Sequence, residues 1–260
     1  MITSNQNSKI KLIRALQSRA KERREANAFV VEGVRLVEEA EIRDWRIRFA
    51  LYDNTLSKRG RSLVERLTSR VVEVEEISES LMQSLSETET PQGILAVLEI
   101  SNLPISNSLD FILIPDQIRD PGNLGTLLRT AAAAGVQAVL LPPETTDAFA
   151  PKVVRSGMGA HFHLPIHAMT WDEIKRFCEL ANQRMYLADM NGQSCWETDL
   201  RQPLALIIGG EADGASEFAQ KLAHQKLSIP MSWRIESLNA GVAGSVLMFE
   251  VVRQRLTFNV

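Results

Sequence analysis

At 260 residues and 45% hydrophobic content, the chain is long enough to bury one large core or two ordinary ones, and its net charge of −3 excludes a partner held by bulk positive charge. The two cysteines, Cys178 and Cys195, are too few for a disulfide framework and too far apart for a CxxC site. The polar, basic N-terminus lacks a signal-peptide core and no apolar run reaches the roughly 18 residues of a membrane span, so the expectation is a cytoplasmic protein with no membrane partner.

The chain opens on a basic helix that Ser8 would cap. Lys9, Lys11, Arg14, Arg19, Lys21, Arg23 and Arg24 meet a single carboxylate, Glu22, before Glu25. Such a run is either a solvated helix face or one that contacts nucleic-acid phosphates. Short β runs then alternate with helical patterns: a strand at 29–31, a helix after Glu32-Gly33 with Val34, Val37 and Ile42 inward, and a strand at 47–52. A helix at 62–68, a strand at 71–74, a helix at 78–85 and a strand at 94–98, entered through Pro91-Gln92-Gly93, complete an α/β unit. Residues 101–108 have the Asn/Ser/Pro character of a linker.

A buried-type strand at 111–114, stopped by Pro115, starts the second unit. After Asp116 comes Arg119-Asp120-Pro121-Gly122-Asn123-Leu124-Gly125, then a helix bearing Arg129 and an alanine run, closed by Gly135. Gly125 lies one helical turn before Arg129 and leaves room for the guanidinium to extend along the helix towards a ligand. Strands at 138–141, 163–166 and 185–188 alternate with helices at 149–155 and 172–181, which predicts a parallel sheet covered on both faces. His161, His163 and His167 lack the helical spacing of a zinc site, and no metal is expected. Where a doubly wound nucleotide fold carries its glycine loop stands Pro115-Asp116-Gln117-Ile118, so neither a dinucleotide nor a nucleoside triphosphate is favoured.

The glycines gather later. A strand at 204–208 breaks at Gly209-Gly210-Glu211 and again at Asp213-Gly214; a second, at 227–230, leads through Met231 to Glu236-Ser237-Leu238-Asn239. Leu238, Val242, Val246, Phe249 and Val252 then recur at helical spacing. The first turns of that helix hold Ala240, Gly241, Ala243, Gly244 and Ser245, although glycine costs an exposed helix roughly 1 kcal/mol relative to alanine, so something must approach its backbone closely. Strand ends and a helix start edged by small residues would form a pocket lined by main-chain groups, with Glu211, Ser237 and Asn239 at its rim; an ordinary ligand-free crossover is the alternative.

Taken together, Asp120-Pro121-Gly122-Asn123-Leu124-Gly125 with Arg129 and Gly135, then Gly209 and Glu211 with Gly214, then Ile229-Pro230-Met231 and Ser237-Leu238-Asn239 with Val242-Ala243, resemble the three motifs of the SpoU (TrmH) family. These are S-adenosylmethionine-dependent RNA ribose 2′-O-methyltransferases of the SPOUT superfamily. The first unit resembles the family's ribosomal-protein-like α/β substrate-binding domain, with Glu32-Gly33 and Pro91-Gln92-Gly93 in familiar places.

The resemblance implies an α/β chain of two domains, an RNA substrate-binding domain over 1–103 and a SPOUT methyltransferase domain over 109–260, with a deep trefoil knot and cofactor site at about 204–245. It implies that Gly209, Gly210, Ile229, Met231 and Leu238 hold S-adenosylmethionine, largely through backbone groups. Catalysis would fall to Asn123, Arg129, Glu211, Ser237 and Asn239. Orientation should dominate an in-line methyl transfer that needs no metal. A guanidinium with a pKa above ~12 suits Arg129 to clamping phosphate and stabilising a developing alkoxide rather than to acting as a base. Trp233 stands where the family usually has glycine, and its ring would either stack on an RNA base or pack inside. The implied partners are structured RNA, ribosomal before transfer RNA, and a second copy of the chain through the C-terminal domain. A non-catalytic RNA-binding or ribosome-assembly factor is the competing class, disfavoured because all the motif side chains are present together.

Overall fold

The computed structural model describes residues 1–256 except 102, 107, 212, 213 and 233–236, and the chain forms two compact units. Residues Met1–Ser101 and Phe149–Phe162 make up the first. It contains α1 (Ser8–Ser18), α2 (Ala20–Ala26), β1 (Ala28–Glu32), α3 (Val34–Ile42), β2 (Ile47–Tyr52), α4 (Lys58–Ser69), β3 (Glu73–Glu76), α5 (Glu79–Leu85) and β4 (Ile94–Glu99). The sheet order is β1-β4-β2-β3, antiparallel except across β2 and β3.

The basic N-terminal run is two helices, not one. Asn7 rather than Ser8 caps α1, accepting from the Lys9 amide at 2.9 Å, and Arg19 is extended (φ −134°) between α1 and α2. Ile10, Ile13 and Leu16 recur at helical spacing and are fully buried in one core cluster with Val30, Leu51 and Val97. The two short motifs of this unit meet: Gln92 Oε1 accepts the Val34 amide at 3.0 Å at the start of α3, and Gly33, at φ +97°, donates to the Ile94 carbonyl at 3.0 Å. Ile42, expected inward, is 63% exposed, and the strand expected at 71–74 begins at Glu73 because Val71 turns the chain at φ +61°.

The second unit comprises Asn102–Ala148 and His163–Val260. Along the chain follow β5 (Phe111–Pro115), α6 (Pro121–Ala133), β6 (Ala138–Leu141), α7 (Pro151–Gly157), β7 (Ile166–Ala168), α8 (Trp171–Leu180), β8 (Arg184–Ser194), β9 (Leu204–Ile208), α9 (Glu217–Leu222), β10 (Gln225–Ser228) and α10 (Ala240–Leu256). All but α7 belong to this unit. Its six strands are parallel throughout, in the order β10-β8-β9-β5-β6-β7. The late strand β9 lies between β5 and β8, pairing Pro115 with Ile208, so the chain leaves two neighbouring strand ends side by side. No helix among the described residues is long and apolar enough to cross a membrane.

The expected division into 1–103 and 109–260 is corrected in one respect. Residues 149–162 belong to the first unit, where the Phe149 ring packs tilted against Phe29 at 5.0 Å and Phe162 meets Trp45 at 5.3 Å. His161 accordingly sits buried in a short 3-10 turn beside Phe149, and the strand expected at 163–166 begins only at Ile166.

The inward face of α10 is also corrected. Val242 and Phe249 are 48% and 49% exposed, while Ala240, Gly241, Gly244, Leu247, Met248 and Val251 are buried. A Cβ on Gly244 would run into Leu127 of α6, and one on Gly241 would lie 3.3 Å from Thr126, so the small residues let α10 close onto α6.

Candidate active site

Three stretches far apart in sequence build the site, all within the second unit. Asp120 caps α6, its side chain accepting from the Asn123 amide at 2.8 Å, and Pro121 occupies the first turn, where a missing N–H costs nothing. Asn123 therefore projects from the first turn of α6. Beside it the chain leaves β9 through two glycines that admit no side chain. A Cβ on Gly209 would lie 2.7 Å from the Ala215 amide nitrogen, and one on Gly210 would lie 2.5 Å from the Gln117 carbonyl oxygen. The third stretch enters α10, which Asn239 caps by accepting the Val242 amide on Oδ1 at 3.1 Å.

These stretches converge on Glu211. Its Oε1 accepts from Asn123 Nδ2 at 2.8 Å, from Asn239 Nδ2 at 2.6 Å and from the Ala240 amide at 3.2 Å, while Asn239 Nδ2 also donates to Asn123 Oδ1 at 2.9 Å. One carboxylate oxygen thus ties together the starts of α6 and α10 and the turn after β9.

A cavity of about 390 Å³ opens along one side of this cluster, with Gly209, Gly210, Glu211, Ile229, Met231, Ser237 and Leu238 all on its wall. Sequence reasoning missed Asp189 and Asn191, which line it from the middle of β8. The strand was expected to stop at 188, yet it runs to Ser194. The signal was Gly192, where a Cβ would lie 2.5 Å from the Lys226 backbone, marking a close pass of two strands. Asp189 accepts from Lys226 Nζ at 2.7 Å and from the Asn191 amide at 2.9 Å, and the ammonium holds its carboxyl below the usual range. A smaller cavity of about 230 Å³ shares Gly210, Glu211, Gly214 and Ala240 with the first and adds Gln117, Arg119 and Asn123. Glu211 stands where the two adjoin.

Other expected site residues fall elsewhere. Arg129 is exposed on α6 and lines neither cavity, so the structure does not bring it into the Glu211 cluster. Trp233 lies outside the described residues, as do Asp213 and Glu236. Of the basic run, Lys9 is held by Glu73 at 2.7 Å and by Glu75, over the Phe49 ring, and buried Arg23 donates to the carbonyls of Leu16 and Gln17 at 2.5 and 3.4 Å. Both serve the fold of the first unit. Lys11, Arg14, Arg19, Lys21 and Arg24 remain exposed. Cys178 and Cys195 are buried, which pushes their thiols up to about 12 and about 11, so neither presents a thiolate at neutral pH.

Comparison with known proteins identifies this parallel sheet, with a main-chain-lined cavity at its adjoining strand ends, as the fold of a SPOUT methyltransferase. Residues 110–249 match the model of the SpoU rRNA Methylase family, and residues 7–96 match the MRM3-like substrate binding domain. The chain is 32% identical over 251 residues to the 23S rRNA (guanosine(2553)-2′-O)-methyltransferase RlmP of Bacillus subtilis, covering 96% of this chain and 98% of that protein. Its structure matches the S-adenosylmethionine-bound rRNA methyltransferase of Sinorhizobium meliloti with a TM-score of 0.87 at 29% identity, covering 97% of each chain. It matches the SpoU methyltransferase AviRb of Streptomyces viridochromogenes, also with its cofactor, with a TM-score of 0.87 at 31% identity, over 97% of this chain and 99% of that one. The chain belongs to the SpoU rRNA methylase family.

The larger cavity fits that family's cofactor. Ile208, Leu227, Leu238 and Leu247 offer apolar walls for an adenosine, and the glycine turn offers main-chain groups where a Cβ would block the approach. Asp189 and Glu211 are the charged side chains among its described lining, both acidic, as suits a ligand carrying a sulfonium and an ammonium.

Proposed function

We propose that this protein transfers a methyl group from S-adenosylmethionine to a ribose 2′-hydroxyl of structured RNA, most readily ribosomal RNA. The observation that carries the reading is the convergence of Asn123, Glu211 and Asn239 on one hydrogen-bonded cluster where two cavities, of about 390 and about 230 Å³, adjoin. When bound, the cofactor supplies an electrophilic methyl group. Gly209, Gly210, Ile229, Met231 and Leu238 would hold it, with Ser237 at the wall. Asn123 and Asn239 would orient the target ribose, and Glu211 keeps both amides in place. Such positioning, rather than metal chemistry, is the source of rate here. Arg129, exposed on the helix that carries Asn123, is suited to clamping a phosphate and stabilising the developing alkoxide.

The insertion of β9 between β5 and β8, with α10 closing over α6, supports a trefoil knot in the segment near 204–245. The exposed Val242 and Phe249 on α10 support a homodimer through the second unit. A cytoplasmic location is the reading that fits an enzyme working on ribosomal RNA. Transfer RNA is the second substrate class, and no structural observation favours it. The test is a map of ribose methylation in total RNA from cells with and without the protein: one or a few ribosomal positions should lose their mark, and an unchanged ribosomal map would count against this reading.

A further inference from the structure

Asp116, one residue beyond β5, is wholly buried and lines neither cavity. Its amide donates to the carbonyl of Ile208, the last residue of β9, at 2.8 Å, so it stands beside the point where the chain enters the glycine turn. Its Oδ2 accepts the Ser216 amide at 2.6 Å, and Oδ1 has no partner among the described residues. A buried carboxyl satisfied on one oxygen costs desolvation free energy that an apolar side chain in the same place would avoid. Nor does α9 need Asp116 to begin: Ser216 caps that helix itself, its Oγ accepting the Ala219 amide at 3.2 Å.

What Asp116 holds is one peptide group. The Ala215–Ser216 peptide gives its N–H to Asp116 Oδ2, and its carbonyl, on the opposite edge of the same plane, accepts from Gln220 Nε2 at 2.9 Å. Held at both edges, the plane is fixed against rotation. That orientation matters to the cavity that fits the cofactor. Gly214 and Ala215 are part of its wall, and Gly214 pairs with Gly210 in a β-bridge across the turn. The Ala215 amide nitrogen packs so close to Gly209 that a Cβ there would lie 2.7 Å from it.

We propose that Asp116 is a positioning residue for S-adenosylmethionine: with Gln220 it clamps the Ala215–Ser216 peptide and so holds the cavity wall that faces Gly209. The proposal rests on the larger cavity as the cofactor site. Asp116 acts only through the main chain, whereas Gln220, exposed and itself on the cavity wall, is the outer half of the clamp. Removing the Asp116 carboxyl would leave the Ser216 amide buried without an acceptor and free the peptide to turn.

The test compares the full-length wild type with Asp116→Ala, Asp116→Asn and Gln220→Ala, by calorimetric titration with S-adenosylmethionine and by steady-state methyl transfer. Asp116→Ala should bind the cofactor at least about tenfold more weakly and raise its KM by the same factor, with kcat at saturating cofactor within about threefold of wild type. Asp116→Asn keeps an oxygen for the Ser216 amide and should restore affinity to within about threefold of wild type. Gln220→Ala should weaken binding by about threefold or more. A folded Asp116→Ala with wild-type cofactor affinity would overturn the proposal, as would an asparagine variant as weak as the alanine one. Should Asp116→Ala fail to fold, Gln220→Ala decides, and wild-type affinity there would overturn the clamp. A wild type that binds S-adenosylmethionine but methylates no RNA would instead overturn the functional reading, and the calorimetric comparison would still judge the clamp.

Discussion

Asp116 is the residue whose environment makes the clearest physical demand. It follows β5 and is wholly buried, with Oδ2 accepting the Ser216 amide at 2.6 Å and Oδ1 without a described partner. Burial raises its pKa above the ordinary 3.8, only partly opposed by the bond from Ser216. The folded protein therefore binds this proton more tightly than the unfolded chain, and the resulting stabilisation is complete below the ordinary value and lost as pH rises through the raised one. The melting temperature of the wild type relative to Asp116→Asn should fall as pH rises from below the ordinary carboxylate value through the raised one. A difference independent of pH would show that the group does not titrate as its burial requires. At the same scale, Arg129→Ala should abolish methyl transfer while cofactor affinity changes by less than about tenfold, or ~1.4 kcal/mol, because Arg129 lines neither cavity. Retention of most activity would remove Arg129 from the chemistry. Arg23→Ala should act on folding instead, costing about 1.5–3 kcal/mol for the lost charged hydrogen bonds in a denaturant titration, since the guanidinium is spent on the Leu16 and Gln17 carbonyls.

Among the elements, the turn after β9 is the most constrained. Gly209→Ala would press a methyl carbon against the Ala215 amide nitrogen and the Gly214 carbonyl carbon, at 2.7 and 2.9 Å, and backbone yields less readily than a side-chain tip. The variant should bind S-adenosylmethionine at least about tenfold more weakly by calorimetry, with RNA affinity retained. Wild-type cofactor affinity would mean that this turn is not part of the cofactor wall. The sequence made this element legible because glycine pairs are informative wherever a chain must pass another closely. It was poor at choosing faces on α10, whose apolar residues surround the helix, so that period alone could not separate Leu247 and Val251 from Val242 and Phe249. It was equally silent on Lys9 and Arg23. A run of cations looks uniform in sequence, and only the fold reveals that Glu73, Glu75 and two backbone carbonyls lie within reach of them. Residues 149–162 escaped for the same reason: their aromatic partners, Phe29 and Trp45, lie more than a hundred residues away.

For the whole molecule, the alternation of strands and helices announced a parallel sheet, but the position of β9 between β5 and β8 depends on long-range pairing that no local pattern encodes. The exposed apolar stripe on α10 makes an assembly prediction. The wild type should sediment as a dimer at micromolar concentration, and Phe249→Asp should shift it towards monomer without unfolding it. A monomeric wild type would contradict the dimer. The central claim is that the cluster of Asn123, Glu211 and Asn239 directs methyl transfer to a ribose oxygen. Incubation of the purified protein with methyl-labelled S-adenosylmethionine and unmodified ribosomal RNA, followed by alkaline hydrolysis, tests it most directly, because a 2′-O-methyl group blocks cleavage of the adjacent phosphodiester. The label should appear in alkali-resistant dinucleotides and vanish with Asn123→Ala. Label recovered in single nucleotides, as a methylated base would give, would contradict the account.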